Sequence, residues 1–321
     1  MSLIDEQVNE AMKEVEQVLL KSMEGSAVLE DMGTNLIKSG GKRIRPELLI
    51  VSYLAGGGED LPSTYKVAAA FELIHTASLI HDDITDDPTL RRMRPAPHRR
   101  YGLSRALVAG DYIFAKSFEL LAGSSEEVSL AIAEAALSTA EGEHVELLLS
   151  FNSNVTKEQH VEIMRKKTAC IFAAAAKVGG IMAGMDPEDV VAVETFAENI
   201  GLAFQVTDDV LDLEPSAALT GKPSGMDLRE GRMNTVIYTA LERLEGNDRD
   251  TVVRVFMASS PSTNDVENAL ALVRGTGAGG IAVIEAQRYL DIAMEALGDR
   301  FDPAIRDHLE AMALEIVRRR S

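Results

Sequence analysis

Two short acidic runs in the chain share one spacing. Asp82, Asp83 and Asp86 stand in Leu79-Ile-His-Asp-Asp-Ile-Thr-Asp-Asp87, and Asp208, Asp209 and Asp212 in Phe204-Gln-Val-Thr-Asp-Asp-Val-Leu-Asp-Leu213. Each run lies near the end of a long apolar stretch with helical period. Residues four apart share a helix face, so Asp82 projects with Asp86, and Asp208 with Asp212. Paired carboxylates with no basic residue at helical spacing repel each other unless a cation lies between them. Hard oxygen donors in an open arrangement suit Mg²⁺, with Mn²⁺ as a substitute. Mg²⁺ keeps several waters and is completed by phosphate oxygens of a substrate. One such run alone reads as a solvated helix end; two identical ones in apolar surroundings point to metal binding.

The net charge of −19 repels anions, so an anionic substrate requires cations gathered locally. Gly40-Gly-Lys-Arg-Ile-Arg-Pro46 places Lys42, Arg43 and Arg45 on a glycine turn entering a helix, a setting that favours anions. Arg91-Arg92-Met-Arg94 follows the first acidic run, Lys166-Lys167-Thr168 precedes the second, and Gly221-Lys222 follows it. Arg brings a planar fork to phosphate oxygens and Lys a compact charge. His75 lies two helical turns before Asp82 and shares its face, which makes it a binding candidate. His81 directly precedes Asp82 and reads more readily as structural. His98, His144, His160 and His308 form no metal-ligand spacing.

The elements that must position these groups are helices. The chain has 321 residues, 46% of them hydrophobic and 5% aromatic, with no tryptophan. That composition favours helix over sandwich or barrel. Val8, Met12, Val15, Val18 and Leu19 form one apolar stripe. Similar stripes fit 46–56, 63–85, 103–123, 126–150, 157–184, 187–213, 232–245, 249–257, 264–274, 279–296 and 303–319. No period-two strand stands out. Breaks carry Gly, Pro or Asn, and no long linker interrupts them, so a single domain over 1–321 is expected. Gly275 to Gly280 lacks the Lys-Ser/Thr of a phosphate loop and reads as a helix–helix turn. The lone Cys170 excludes an internal disulfide and reads as a buried thiol. No stretch is apolar and long enough to span a membrane, and the N-terminus has no signal-peptide pattern, so a cytoplasmic protein is expected. The negative charge argues against nucleic acid and anionic membranes as partners.

Taken together, these motifs resemble the trans-isoprenyl diphosphate synthases (polyprenyl synthetases). They are Gly40 to Pro46, Glu72-Leu-Ile-His-Thr-Ala-Ser-Leu-Ile-His-Asp-Asp83, Arg91-Arg92, Lys167-Thr168, the Phe204 run, Gly221-Lys222 and Asp227-Leu-Arg-Glu-Gly231. The resemblance covers the chain from about residue 30 onward. It implies an all-α fold of long, mostly antiparallel helices around a central cavity, a homodimer, and the joining of isopentenyl diphosphate to an allylic diphosphate. It further implies that Asp82, Asp83, Asp86, Asp208, Asp209 and Asp212 carry Mg²⁺ for the allylic diphosphate. Arg91, Lys167 and Lys222 would contact that diphosphate, and Lys42, Arg45, His75 and Arg92 the isopentenyl diphosphate. Gln205 and Thr168 would line the reacting centre, and Arg232 stands where the family often has a substrate-binding Lys. Ala77 and Ser78, about one turn before Asp82, lie where bulky aromatics stop chain growth in the family. Small residues there imply a product of about twenty carbons or longer rather than a farnesyl-length one.

The chain departs from the family pattern at Met93, usually Gly, at Glu214-Pro215, and at Asn234-Thr-Val-Ile237. Rival readings are a helical metal-dependent phosphohydrolase built on His81-Asp82, a terpene cyclase, and a non-catalytic binding subunit. The first leaves the second acidic run unexplained. The second has no need of Lys42 and Arg45. The third has no need to keep every carboxylate.

Overall fold

The computed structural model describes residues 2–24, 27–38, 41–91, 94–213 and 224–317, and for 27–31 the backbone alone. Gly40, Arg92, Met93, Glu214, Pro215, Gly221 and Lys222, all singled out above, lie outside the described residues. The chain divides into two compact units.

The first unit comprises Met1–Ala136, Ile171–Ala197 and Ala296–Glu310. At its centre is α4, Tyr65–Asp86, whose residues from Val67 to Ile80 are almost all buried. A helix apolar all round belongs inside a core. Helices α1 (Leu3–Ser22), α3 (Ile44–Ala55) and α6 (Leu103–Leu121) pack on it. Helix α1 buries one stripe, Val8, Ala11, Val15 and Leu19. It starts in a capping box in which Ser2 and Asp5 satisfy each other's backbone N–H groups. Between α1 and α3 lies α2, Ala27–Lys38, and after α4 a hairpin of two-residue strands, β1 (Leu90–Arg91) and β2 (Arg94–Pro95), leads into α5, Pro97–Tyr101. The periodicity showed neither α2 nor the hairpin. Strands this short carry no alternation to detect, and Gly33, Thr34 and Asn35 weaken the helical signal of α2. His308 bridges two carboxylates, with Nδ1 2.8 Å from Asp5 and Nε2 3.1 Å from Glu47.

The second unit comprises Leu137–Cys170, Glu198–Glu295 and Ala311–Ser321. It holds the end of α7 (Glu126–Leu149), α8 (Lys157–Met164) and the end of α10 (Pro187–Leu213). The short helices α11 (Met226–Glu230) and α12 (Thr235–Leu241) follow, then α13 (Gly246–Phe256), α14 (Thr263–Gly275) and most of α15 (Ala278–Leu297). Leu202, Val206, Val236, Phe256, Val266 and Ala282 are among the buried residues of its core. Between α8 and α9 (Cys170–Ala183) the backbone forms a π turn over Arg165–Ala169. The sequence reading took 157–184 as one uninterrupted stripe. A π turn adds a residue without breaking the apolar pattern on either side, so period alone does not reveal it. Among the described residues no single helix is long and apolar enough to cross a membrane.

Candidate active site

In the first unit, the last turn of α4 presents its aspartates in two directions. Asp82 and Asp86 are part-exposed, whereas Asp83 is fully buried and accepts a 2.6 Å hydrogen bond from Arg91 Nε. The helix stops at Asp87, which adopts a left-handed conformation (φ 52°). The Asp87 carboxylate lies 3.0 Å from His98 Nε2 and 2.6 Å from an Arg99 nitrogen, which pins α5 beside the acidic turn. A carboxylate at a helix C-terminus is unfavourable by itself, and these two neighbours offset it. His81 turns away from the acidic face toward α6, its ring so close to Gly110 that any Cβ there would overlap it. Its Nε2 lies 3.5 Å from Asp111. That supports the structural reading of His81.

The cations of residues 41–45, leading into α3, have different surroundings. Arg43, in the left-handed region at φ 50°, sends its guanidinium inward to Glu72 (2.5 Å), Glu16 (3.0 Å) and the Ile37 carbonyl (2.6 Å). It is a structural pin, not part of a phosphate cradle. Lys42 is exposed, and Arg45 stacks over the Phe172 ring at 4.7 Å. His75 is part-buried on α4, and its carbonyl accepts from Ser78 Oγ. Ala77 is 1% exposed and Ser78 part-exposed, so only Ser78 of this pair reaches open space.

In the second unit, α10 ends with the same division. Asp208 is part-exposed. Asp209 is buried, its Oδ1 accepting from Gln205 Nε2 (3.1 Å) and its Oδ2 from the Thr235 backbone N–H (2.9 Å). Burial pushes its pKa up to about 6 against those hydrogen bonds. Gln205 also accepts from Thr168 Oγ1 at 3.0 Å, so Thr168, Gln205, Asp209 and Thr235 form one chain. Asp212 accepts the backbone N–H groups of Met226 (3.0 Å) and Asp227 (3.2 Å), and so caps α11. Asp227 itself is part-buried. Desolvation first, then the charge of Asp209, raise it to about 7, while Asn234 Nδ2 donates to it at 2.8 Å. Asn234 also caps α12 by accepting from Ile237 N at 2.7 Å, which gives this departure from the family pattern a local reason. His160, whose pKa burial lowers to about 4, is a neutral partner of Thr235 at 3.0 Å.

The cations of this unit are tightly held. The π turn brings Lys167 to α7, where its Nζ lies 2.6 Å from Glu143 and 2.5 Å from Glu146. Glu146 is also 3.7 Å from Arg232 Nε, and Glu230 is 3.5 Å from the same guanidinium. Gly142 makes this approach possible, because a Cβ there would meet the Lys167 backbone nitrogen at 2.7 Å. Glu143 and Glu146 were missed as site residues. The clue in the sequence is a glycine in mid-helix, Gly142, flanked by carboxylates at positions 141, 143 and 146.

Among the described residues no three His, Cys, Asp or Glu side chains converge to hold an ion unaided. The donors present are part-exposed carboxylates on helix ends, Asp82 with Asp86 and Asp208 with Asp212, a set that fits Mg²⁺ completed by water and phosphate oxygens.

The polyprenyl synthetase family model matches residues 26–273. The short chain isoprenyl diphosphate synthase of Methanothermobacter thermautotrophicus is 38% identical over 301 residues, covering 92% of this chain and 89% of that protein. The geranyl-diphosphate-specific all-trans-nonaprenyl-diphosphate synthase of Rhodobacter capsulatus is 31% identical, covering 84% and 83%. Among solved structures, the polyprenyl synthase of Caulobacter crescentus, complexed with calcium and isoprenyl diphosphate, superposes with a TM-score of 0.94. Its identity is 32%, with 99% of this chain and 97% of that one covered. The all-α architecture is thus the isoprenoid synthase fold, as the sequence motifs implied. On the breadth of these matches the chain belongs to the polyprenyl synthetase family and is a prenyl diphosphate synthase.

Proposed function

We propose that the enzyme condenses isopentenyl diphosphate with an allylic diphosphate in a Mg²⁺-dependent reaction. The observation that carries this is the shared build of the two acidic helix ends: the middle aspartate is anchored inward and the aspartates on either side of it stay part-exposed. Asp82 and Asp86 at one helix end and Asp208 and Asp212 at the other are metal ligands in this reading, and Asp83 and Asp209, counted with the ligands on the family resemblance, act as anchors that fix the helix ends. When bound, Mg²⁺ neutralises the leaving group as a Lewis acid. Arg91, Lys167 and Arg232 add fixed positive charge to the allylic diphosphate, and Lys42, Arg45 and His75 hold the isopentenyl diphosphate. Arg92 and Lys222 keep the roles implied by the resemblance.

The allylic C–O bond breaks heterolytically and the diphosphate leaves with the electron pair. The double bond of isopentenyl diphosphate attacks the cation, and loss of a proton to the released diphosphate restores a double bond. Thr168 and Gln205, locked to Asp209, line the cation's path with oriented dipoles. The small residue Ser78, which reaches open space beside the buried Ala77, favours a product of about twenty carbons or longer. The exposed apolar face of α6, with Leu103, Leu107, Val108 and Phe118, fits a second copy of the chain.

Incubation with Mg²⁺, isopentenyl diphosphate and allylic primers of several lengths, followed by sizing of the products, tests the reading. Asp82→Ala and Asp208→Ala are expected to abolish most turnover with the fold intact; near-normal activity in either would refute the assignment.

A further inference from the structure

Resting on the reading of Lys167 and Arg232 as diphosphate-binding groups, we propose that Glu143 and Glu146 are positioning residues that aim these two cations at the substrate. A lysine ammonium sits on a flexible four-carbon stem and has three donor directions. Glu146, on α7, accepts one of them at 2.5 Å, and Glu143, one helical turn before it, pairs with the ammonium by charge at 2.6 Å. The ammonium is thereby held between two carboxylates instead of swinging on its stem. Burial works against the ammonium, yet the charges of Glu146 and Glu143 outweigh it and raise its pKa above the ordinary lysine value, so it stays charged. Glu146 reaches Arg232 as well, at 3.7 Å, and a single carboxylate therefore fixes the spacing of two cations from different segments.

The backbone around the pair is shaped for this purpose. A π turn costs hydrogen-bond geometry and is rare, and such turns concentrate at functional sites. Here the turn over Arg165–Ala169 carries Lys167 against α7, and Gly142 removes the one side chain that would hold the two backbones apart. By contrast Lys166, the neighbouring lysine, makes an exposed pair with Glu141, of the kind that contributes little.

The test combines Glu143→Gln, Glu146→Gln and Lys167→Met with measurement of kcat, of KM for each substrate, and of the Kd of inorganic pyrophosphate with Mg²⁺. Glutamine keeps the shape and removes the charge. Glu146→Gln is expected to raise KM for the allylic diphosphate about tenfold while leaving that for isopentenyl diphosphate within about twofold, with thermal unfolding unchanged. Combined with Lys167→Met it should add little, because the two act as one unit. Wild-type KM values in both Gln variants, beside a crippled Lys167→Met, would overturn the positioning role and leave the role of Lys167 standing. A kinetically normal Lys167→Met would sink both. Should the Gln variants fail to fold, Glu146→Asp decides. It keeps the charge but withdraws it by one methylene, and an unchanged KM for the allylic substrate overturns the proposal.

Discussion

Gly142→Ala tests whether the close approach of α7 to the π turn matters for turnover. The new Cβ would lie 2.7 Å from the Lys167 nitrogen and 2.9 Å from the Lys166 Cβ, where 3.4 Å begins ordinary contact. The two backbones must therefore part by the difference, 3.4 − 2.7 = 0.7 Å. Neither is a flexible side chain that could swing away. Overpacking of this kind costs about 1–3 kcal/mol, and the better helix propensity of alanine returns about 1 kcal/mol. The net destabilisation is then about 0–2 kcal/mol, a fall in Tm of no more than about 8 °C. Turnover is expected to suffer more than stability, since a misplacement near 1 Å costs about 100-fold in rate and 0.7 Å should cost about tenfold or more. Gly280→Ala in α15 is the control. A Cβ there meets nothing within 4 Å, so it should raise stability by about 0.5–1 kcal/mol and leave kinetics alone. Steady-state kinetics and thermal unfolding on the same preparations give both quantities. Wild-type kcat/KM in a folded Gly142→Ala variant would refute the reasoning.

Three further outcomes follow from the first unit. Arg43→Met should destabilise by about 3–5 kcal/mol, because Glu72 is left buried without its cation; methionine keeps the same left-handed backbone, so a thermal shift under about 3 °C would show that Glu72 finds another partner. His308 sits between Asp5 and Glu47, whose hydrogen bonds raise its pKa, Glu47 foremost. A group with a raised folded pKa stabilises fully below its unfolded value of about 6.5 and loses that contribution as pH climbs through the folded one. The Tm advantage of the wild type over His308→Ala should therefore shrink as pH rises above about 6.5, and a gap that stays constant through that rise would contradict the imidazolium clasp. Ser78→Phe should shorten the product, whereas Ala77→Phe, at a site 1% exposed, should mainly destabilise; chromatographic sizing and unfolding curves separate the two, and the reverse pattern would place Ala77 on the product path.

Much of this was legible in the residues, and the exceptions have physical causes. Helices α4 and α10 could be read because a sustained apolar period admits no other element of that length. The four-residue spacing of Asp82 with Asp86 already set them on one face, but spacing cannot say which face looks inward. Only the partners of Asp83 and Asp209, namely Arg91 and the Thr235 backbone, decide that. Arg43 illustrates the same limit. Its charge suggested a phosphate contact, and its task depended on Glu16 and Glu72, distant in sequence and invisible to any local pattern. Glu143 and Glu146 were hidden because carboxylates on a long helix ordinarily mean a solvated face.

The π turn has an evolutionary corollary. An α-helix advances about 100° per residue, so removing one residue from Arg165–Ala169 would restore the ordinary winding at the cost of turning everything after it by about that angle. The row that follows, Ile171, Phe172 and Ala175, is buried, and such a rotation would carry it off its present face. Descendants of this gene can exchange side chains across the segment one by one. They cannot shorten it by a codon without losing the interior of one flank or the other.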